Sequence, residues 1–502
     1  MVKGTCLCLK ASINHSTIHV CCVCPRTPEI SEAGLKTVSF RTQHVVPAPR
    51  AEVWQWHTRP GALARLTAPF SFMTALQQAE SLVDGTSILG FPGGLKWVAR
   101  HDLSRYQPRR SFADVCINAP FRSLANWRHE HFFEDHPEGT LITDKVDTRI
   151  PTAAVESIFA YRQQQLIEDF RFAHRLGVLN AEPRTVAITG THGTIGAAVS
   201  AQLGTLGHTV IPLVRSNPGV GERLWRPTLP AKDLLEGVDV LIHLAGEPIF
   251  GRFNSAHKEA IRDSRVSPTH LLAQLAAQTP SVTTLVCASA IGIYGPDRGD
   301  EELTEESERG EGFLADVVSA WEEACTPARE AGKRVVNVRT GIVQSGNAGI
   351  LPLLRALFST GLGGAFGKGT MWNSWVSQDD LSDMFVRAAL DPAWDGAINA
   401  VSPNPVLNRD YVDTLGSLLH RPTVIPIPSV GPALLLGKEG ARELALANQK
   451  VSSPRLKDLG HTFRYPKIAP ALAHELGGEK LYEVPTYAPK EDGSGSVGAG
   501  KD

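Results

Sequence analysis

The chain has 502 residues, of which 42% are hydrophobic and 20% charged, and its formal net charge is -2. A chain of this length can form two or three domains, each with its own hydrophobic core. The small net charge and the lack of any basic run argue against nucleic acid or an anionic membrane surface as a partner. No stretch approaches the roughly 18 consecutive apolar residues that span a bilayer, so we expect a cytoplasmic protein without a membrane span.

Residues 1–34 are predicted to be a disordered leader. It holds five of the eight cysteines, namely Cys6, Cys8, Cys21, Cys22 and Cys24. Their spacing matches no standard zinc pattern, so no metal is predicted. The leader also lacks the long apolar core and cleavage site of a signal peptide.

Residues 35–180 carry short strand-like runs separated by turn signals, which predicts an antiparallel sheet. Two short helical pieces, "AEVWQWH" and "GALARL", follow the first run. The closing segment "AAVESIFAYRQQQLIEDFRFAHRL" repeats apolar residues at helical spacing: Val155, Phe159, Leu166, Phe170 and Ala173. This pattern predicts one long amphipathic helix laid across the sheet.

The pattern changes near residue 181. The apolar runs "VAITG", "TVIPLV", "VDVLIHLA", "TTLVCASA" and "RVVNVR" alternate with helix-length segments, which is typical of a parallel sheet with helices on both faces. We therefore predict a second domain over residues 181–485, with a mixed substrate cap at about 346–481 and a disordered tail at 486–502.

The stretch "TVAITGTHGTIGAAVS" at residues 185–200 predicts a strand, a glycine loop and a helix. Gly190, Gly193 and Gly196 follow the strand and open the helix, so backbone amides at the helix N-terminus can approach a pyrophosphate. The first glycine permits the tight turn, the second gives the phosphate access, and the third lets the helix pack on the strand. Thr191, Thr194 and Ile195 belong to the same predicted cofactor loop.

The end of the next predicted strand indicates which dinucleotide binds. Enzymes that prefer NAD place an acid there on the ribose 2′-hydroxyl, but this chain reads Arg215 and Ser216. A guanidinium suits a 2′-phosphate, which it can grip with two hydrogen bonds. We therefore favour NADP over NAD, the alternative being a solvated arginine after a strand.

Seven motifs in order carry a family resemblance: "TGTHGTIG", "VLIHLAGEPI", "KEAIRDSRV", "ASAIGIYG", "FLADVVSAWEEA", "VRTGIV" and "GLGGAFGKGTMWNSWVSQDDL". Over residues 184–480 the chain resembles the atypical short-chain dehydrogenase/reductase family described as NAD-dependent epimerase-like, which is related to nucleoside-diphosphate-sugar epimerases. The resemblance implies an α/β Rossmann-type, doubly wound parallel sheet and a nicotinamide cofactor.

The resemblance also implies which residues contact the cofactor. It places the three glycines on the pyrophosphate and Arg215 with Ser216 near the 2′-phosphate. Further cofactor contacts carried over from the family are Leu244, Ala245, Gly246, Arg265, Val343 and, as a weaker transfer, Glu259. A buried strand residue for Val343 and a surface ion pair for Arg265 stay open as alternatives.

The region from about residue 36 to 178 resembles the START-like helix-grip family, which includes polyketide cyclases, and this implies an α+β fold with an apolar ligand cavity. The resemblance rests on element order and on "VWQWHTRPGALARL" and "WRHEHFF". In the second motif His129 and His131 share one strand face. They could contact a ligand or a metal, but two histidines alone make an incomplete metal site. A structural or solvent-facing pair is the preferred interpretation.

The usual acid–base pair of hydride-transferring members of this superfamily, Tyr-x-x-x-Lys, is missing. None of the seven tyrosines has a lysine four residues later, and Leu314 and Val318 stand where the pair is expected. Ser289 and Tyr294 of "ASAIGIYG" are the substitute candidates for catalysis. Asp379 and Asp380 are interpreted as N-cap and first-turn residues rather than as a catalytic pair.

We therefore expect an NADP-dependent oxidoreductase or epimerase acting on a small carbonyl or hydroxyl compound, with an N-terminal domain that binds an apolar ligand. The alternative is a non-catalytic module that senses NADP(H) or a hydrophobic ligand. Burial of Ser289 and Tyr294 in the core would favour this alternative. The oligomeric state stays open.

Overall fold

The computed structural model describes residues 37–177, 182–428 and 430–484. The predictions made for residues 1–34 and 486–502 lie outside the described residues. From Thr37 onward the described residues belong to one compact unit, which contains an antiparallel sheet followed by a parallel one. No helix among the described residues combines the length and the apolar character that a membrane crossing requires.

The N-terminal region, residues 37–177, is built on a seven-stranded antiparallel sheet with the order β1-β7-β6-β5-β4-β3-β2. Its strands are β1 (Val38–Val46), β2 (Thr74–Gln77), β3 (Thr86–Gly90), β4 (Lys96–His101), β5 (Ser111–Cys116), β6 (Arg128–His136) and β7 (Gly139–Thr148). Its helices are α1 (Arg50–Thr58), α2 (Ala62–Arg65), α3 (Phe121–Leu124) and α4 (Thr152–Leu176). The sequence of strand β3, "TSILG", is short and lies between turn residues, so it gives little indication of a strand.

Helix α4 confirms the prediction of one long amphipathic helix. It runs for 25 residues and ends at Gly177, which adopts a left-handed conformation with φ of 66°. The five apolar residues that predicted it are all buried. Its apolar face packs against β1 and the strands beside it, so the sheet and the helix enclose the core of this region.

The C-terminal region, residues 182–484, holds the parallel sheet. Its strands are β8 (Thr185–Thr189), β9 (Thr209–Val214), β10 (Arg223–Leu224), β11 (Val240–His243), β12 (Thr284–Ala290), β13 (Asp297–Leu303), β14 (Arg334–Thr340), β15 (Ile342–Gln344), β16 (Trp372–Asn373), β17 (Trp375–Ser377), β18 (Gly396–Ala400), β19 (Val406–Leu407) and β20 (Asn448–Val451). Its helices are α5 (Thr194–Leu206), α6 (Ser255–Asp263), α7 (Val266–Gln278), α8 (Phe313–Glu323), α9 (Thr326–Glu330), α10 (Leu351–Ser359), α11 (Gln378–Leu390), α12 (Asn408–Leu418), α13 (Val430–Gly440), α14 (Pro454–Asp458) and α15 (Ile468–Leu476).

Seven of these strands form one sheet in the order β10-β9-β8-β11-β12-β14-β18, and all its pairings are parallel. This is the strand order of a doubly wound Rossmann fold, which confirms the predicted Rossmann-type sheet. The strand order reverses between β8 and β11, and ligands of such sheets bind at the carboxyl ends of the strands at that point.

The remaining strands pair two by two outside the large sheet. Strands β15, β17 and β19 and helices α10, α12 and α15 contribute to a separate apolar cluster that includes Leu351, Phe358, Trp375 and Leu415. Most of this cluster lies within residues 346–481, where the sequence predicts a substrate cap, and that role stays a prediction.

The two regions touch through closely packed backbone. A methyl group added at Gly61, beside α2, would lie 2.2 Å from the carbonyl oxygen of Ala201 in α5. One added at Gly204 would lie 2.4 Å from the carbonyl oxygen of Pro60. Both glycines are therefore needed for α2 and α5 to approach each other this closely.

Candidate functional site

The glycine loop connects β8 to α5 at the point where the strand order reverses. Gly190 has a φ of 77°, a left-handed conformation that favours glycine. Gly193 is the N-cap residue of α5, and no side chain caps this helix end. A Cβ on Gly196 would lie 2.1 Å from the carbonyl oxygen of Gly190. The first turn of α5 therefore offers backbone amides to an anion, and the third glycine allows the helix to reach the loop.

A polar contact joins this loop to the end of β11. The hydroxyl of Thr189 accepts hydrogen bonds from the amides of Leu244 (3.0 Å) and Ala245 (3.1 Å). Its own hydrogen is directed to Nδ1 of His243, 2.7 Å away. Burial, together with the nearby charge of Arg265, lowers the pKa of His243 to about 4. The imidazole is therefore neutral at pH 7 and can accept this hydrogen bond.

The predicted cofactor residues after β11 lie directly beside the glycine loop. A Cβ on Gly190 would be 3.0 Å from the amide nitrogen of Ala245. Leu244 and Ala245 are half-buried, and Gly246 is exposed. Sequence reasoning found these residues through the family resemblance but missed Thr189 and His243, because nothing in the sequence pairs residues 54 positions apart.

Arg265 is buried against this loop. Its guanidinium lies 5.1 Å from the Trp321 ring centroid and donates to the carbonyl oxygens of Ile261 (3.0 Å) and Glu247 (2.9 Å). Its Nε is buried and has no hydrogen-bond partner. Among the described residues no carboxylate forms an ion pair with it, so the surface ion pair considered above is wrong.

Arg265 lies beside Gly246, and this position indicates that its positive charge serves to bind a ligand. A Cβ on Gly246 would lie 3.1 Å from its Cζ. Burial lowers the pKa of Arg265 to about 10, which still leaves it positively charged at pH 7. A buried cation without an anionic partner is unfavourable unless a ligand supplies the negative charge.

Arg215 and Ser216 directly follow β9, at the same edge of the sheet as the glycine loop. Both are exposed, and Arg215 makes no ion pair within the part of the chain that the structure describes. Its guanidinium is thus free for a ligand near the second strand, where a dinucleotide places its adenosine ribose.

The other residues predicted to contact the cofactor differ in how deeply they are buried. Glu259 is exposed on α6, whereas Val343 is half-buried in β15 and packs on the main apolar core, as the buried-strand alternative expected. In the loop, Thr191 and Thr194 are half-buried, and Ile195 packs on the same core.

The two predicted catalytic residues lie in a buried polar network. Ser289 donates to Oε1 of Glu322 (2.6 Å), which forms an ion pair with Arg339 at 2.9 Å. Arg339 donates to the phenol oxygen of Tyr294 (3.1 Å), and this phenol donates to Oδ1 of Asn399 (2.7 Å). Tyr294 is completely buried and Ser289 is 3% exposed.

This network shows what surrounds the two residues predicted to be catalytic. Burial raises the pKa of Tyr294, against the opposing effect of Arg339. Both hydroxyls are committed to partners inside the protein. Sequence reasoning placed them correctly at the end of β12 but could not foresee Glu322 and Arg339.

Helix α8 presents apolar side chains where the Tyr and Lys of the usual pair are expected. Leu314 and Val318 are both buried. A Cβ on Gly292 would lie 3.4 Å from Cβ of Leu314 and 3.9 Å from Cγ2 of Val318. The turn after β12 therefore faces hydrocarbon, and no ionisable group of α8 replaces the pair at these two positions.

With this geometry in place, comparison with known proteins identifies the family. Residues 186–400 match the NAD dependent epimerase/dehydratase family, and residues 427–475 match a domain of unknown function, DUF1731. An epimerase family protein of Mycobacterium bovis is 38% identical over 293 residues, which cover 58% of this chain and 96% of that protein. The chain belongs to the epimerase family.

Two solved structures resemble this epimerase-family chain. The crystal structure of the nucleoside-diphosphate sugar epimerase from Corynebacterium glutamicum is 52% identical, with a TM-score of 0.79 over 88% of this chain and 91% of that one. The structure of human epimerase family protein SDR39U1 with NADPH is 28% identical, with a TM-score of 0.54 over 58% of this chain and 99% of that one.

A buried set of charged residues links the N-terminal region to the epimerase domain. We call it the interface network: Arg65, Asp169, Asp379, Asp383 and Arg464. Arg65 contacts Asp169 (2.5 Å) and Asp379 (2.8 Å), and Arg464 contacts Asp169 (2.8 Å) and Asp383 (2.6 Å). Each of these side chains is at most 5% exposed. Sequence reasoning missed this network, because its members lie far apart in the chain.

The structure confirms Asp379 and Asp380 as first-turn residues of α11, but the expectation that one of them is the N-cap is wrong, because Ser377 is the N-cap. Asp379 also binds Nε2 of His474 at 3.1 Å. Burial, together with the neighbouring Asp383, raises the pKa of Asp380 to about 7. Through its ion pair with Arg65, Asp379 takes part in the contact between the two regions.

The N-terminal region contains a cavity of about 170 Å³ between its sheet and α4. Apolar side chains such as Leu66, Trp97 and Phe112 line it. His129 and His131 also line it, and they are only 3% and 4% exposed. Of the expected structural or solvent-facing pair, the solvent-facing alternative is therefore wrong, because the pleat of β6 turns both rings into the cavity.

Proposed function

We propose that this chain binds NADP(H) at the β8–α5 loop and transfers hydride to or from a small carbonyl or hydroxyl compound, as an oxidoreductase or an epimerase. The observation that carries the proposal is Arg265, a buried guanidinium with an unpartnered Nε beside Gly246 and the glycine loop. A pyrophosphate on the uncapped end of α5 would supply the anion that this cation lacks. The presence of NADPH in the structure of the human relative supports NADP(H) as the ligand.

The choice of NADP over NAD rests on Arg215. Its free guanidinium follows β9, and no acidic side chain stands at the next position to hold a ribose hydroxyl. Charged hydrogen bonds to a phosphate contribute about 1.5–3 kcal/mol each, which is enough to separate two dinucleotides that differ only in that phosphate.

Replacing Arg215 with alanine tests this preference. We expect Arg215→Ala to weaken NADPH binding by roughly 10- to 100-fold and to leave NADH binding unchanged. Titration of the purified full chain, followed by nucleotide fluorescence, measures both constants. Arg409→Ala removes an exposed arginine from α12 and serves as the control. An equal loss for both nucleotides would contradict the assignment of Arg215 to the 2′-phosphate, and no binding of either nucleotide by the unmodified chain would refute the proposed function.

A second candidate function is favoured by the buried network around Tyr294. This candidate is a non-catalytic module that responds to NADP(H), and it is supported because Tyr294 and Ser289 both bond to partners inside the protein. A screen of small aldehydes, ketones and sugar nucleotides for NADPH oxidation or epimerised product separates the two candidates.

Replacing Tyr294 with phenylalanine shows whether the phenol has a catalytic role. Its loss leaves Asn399 and Arg339 with an unmet hydrogen bond, so we expect Tyr294→Phe to lower the free energy of unfolding by about 1–3 kcal/mol while NADPH affinity and turnover stay unchanged. Denaturant unfolding and steady-state kinetics measure these effects. A loss of turnover of about 100-fold or more with unchanged affinity would instead restore Tyr294 as the proton donor.

The N-terminal region is proposed to be a START-like helix-grip domain whose cavity holds a small apolar ligand. Its order of one strand, two short helices, six further strands with the short α3 before β6, and a long closing helix supports this, as does the apolar lining of the cavity. We further propose that this ligand is the substrate or product of the epimerase domain.

A further inference from the structure

Four polar side chains on three adjacent strands of the N-terminal sheet face the same side. Asp114 of β5 stands opposite His129 of β6, and Asp144 of β7 stands opposite His131 of β6. His129 and His131 are two residues apart, so their side chains lie on one face of the sheet. The strand register therefore gathers two imidazoles and two carboxylates that are separate in the sequence.

The carboxylate of Asp144 fixes the orientation of both imidazoles. Its Oδ1 is 3.0 Å from Nε2 of His129 and 2.9 Å from Nδ1 of His131. If these two nitrogens donate to Asp144, then Nδ1 of His129 and Nε2 of His131 are left with free lone pairs. A carboxylate that holds the far nitrogen of a histidine in this way is the usual support of a metal-binding imidazole.

The distances within the cluster suit a single metal ion. Nδ1 of His129 lies 3.5 Å from Oδ2 of Asp114, and two ligand atoms at bond lengths of about 2.0–2.1 Å on a tetrahedral ion are roughly 3.3 Å apart. One ligand atom each from Asp114, His129 and His131 lies within 4.8 Å of the other two. Binding would therefore require only small side-chain adjustments.

We propose that Asp114, His129 and His131 bind a divalent first-row transition-metal ion, with Asp144 as the orienting carboxylate. Two imidazole nitrogens and one carboxylate suit Zn²⁺ or Fe²⁺, whereas Mg²⁺ and Ca²⁺ prefer oxygen ligands. The sequence showed only the two histidines, because Asp114 and Asp144 join them through strand pairing.

The surroundings give the ion an open coordination position. Asp114, His129 and His131 all line the cavity, while Asp144 is not among its lining residues. Three protein ligands leave a fourth position for a water or a substrate. A cavity of about 170 Å³ is comparable to one that holds a benzene molecule. The ligand class is thus a small apolar molecule with one oxygen donor.

The charges near the cavity are consistent with a cation. Asp114 and Asp144 carry two negative charges, and Arg162, which lines the cavity, carries one positive charge. Arg162 forms no ion pair with any described residue. A divalent ion would offset the remaining negative charge and leave an excess positive charge, which favours an anionic oxygen on the bound ligand.

A cobalt titration of the full chain tests the site. The five leader cysteines, Cys6, Cys8, Cys21, Cys22 and Cys24, are first replaced with serine so that their thiolates cannot contribute, while the buried Cys116, Cys287 and Cys325 are kept. After removal of metal with EDTA, we expect this chain to bind one equivalent of Co²⁺ with visible d–d absorption and no sulfur charge-transfer band. Zn²⁺ should displace the Co²⁺, and Mg²⁺ and Ca²⁺ should not.

Variants of this chain with the five leader cysteines replaced locate the ion. We expect Asp114→Asn and His131→Gln to abolish the d–d band and Asp144→Asn to weaken binding by about 10- to 100-fold. His101→Gln is the matched control, since His101 lines the same cavity outside the triad and should bind Co²⁺ as the parent does. Circular dichroism verifies that each variant is folded.

Three results would overturn the proposal: no saturable Co²⁺ binding by the chain with the leader cysteines replaced, binding that persists in folded Asp114→Asn and His131→Gln, or equal loss in His101→Gln. If a variant of a metal-binding residue does not fold, X-ray absorption of the zinc-loaded parent decides whether the site exists. Two imidazoles and no sulfur around the zinc support the site, and a shell without two imidazoles refutes it.

Discussion

Arg265→Met is expected to weaken the binding of NADPH and NADH equally, by about 100-fold or more, while leaving the free protein as stable as before or more stable. The guanidinium is buried, lacks a carboxylate partner and leaves Nε without a hydrogen bond. Methionine has a similar apolar length, so its substitution removes an uncompensated buried charge from the free protein. Weaker ligand binding together with equal or higher stability is the result expected when a replaced residue binds a ligand but destabilises the free protein.

Nucleotide titration and thermal unfolding without ligand measure the two effects. Arg334→Met is the matched control, because Arg334 also donates to backbone carbonyls, those of Ala388 (2.6 Å), Ala389 (3.0 Å) and Trp394 (2.7 Å). We expect this variant to unfold more easily and to bind nucleotides normally. The assignment of Arg265 to the cofactor would fail if its variant were destabilised but bound NADPH as tightly as the parent.

Arg464→Met is expected to lower the free energy of unfolding by about 3–5 kcal/mol. Its guanidinium is 1% exposed and contacts Asp169 in the N-terminal region and Asp383 in the epimerase domain. Without it, Asp383 keeps no ion pair among the described residues, although its Oδ1 still accepts a hydrogen bond from Gln202. A buried, uncompensated carboxylate is strongly destabilising.

Denaturant unfolding followed by circular dichroism measures this loss. Arg309→Met is the control, since Arg309 pairs with Asp316 where both side chains are more than half exposed, and exposed pairs contribute about 0.2–1 kcal/mol. Similar effects for the two variants would show that the interface network contributes no more than a surface ion pair. A single cooperative transition for the parent would show that the two regions unfold together.

Features encoded within short segments of the sequence were predictable. The glycine loop, the alternation of strands and helices after residue 181, and α4 each depend on spacing within about 25 residues, and the structure contains all of them. The placement of Leu244 and Ala245 beside Gly190 followed from the family resemblance and the strand order.

Features that depend on distant pairing were not predictable. Tyr294 was chosen because it lies near the expected nicotinamide, but its partner Asn399 is 105 residues away. Asp114 and His129 meet only because β5 and β6 pair in one particular register. A shift of one residue would turn one side chain to the opposite face, so no local pattern could bring them together.

The close packing of Gly61 on Ala201 and of Gly204 on Pro60 has a practical consequence for dissecting the protein. Cutting the chain in the segment at residues 178–181 would expose two helix faces shaped only for each other, with Arg65 on one piece and Asp379 on the other. In each piece, a surface that is buried in the intact chain would be exposed to solvent. The two sites are therefore best studied by point substitution in the whole chain rather than in separately produced halves.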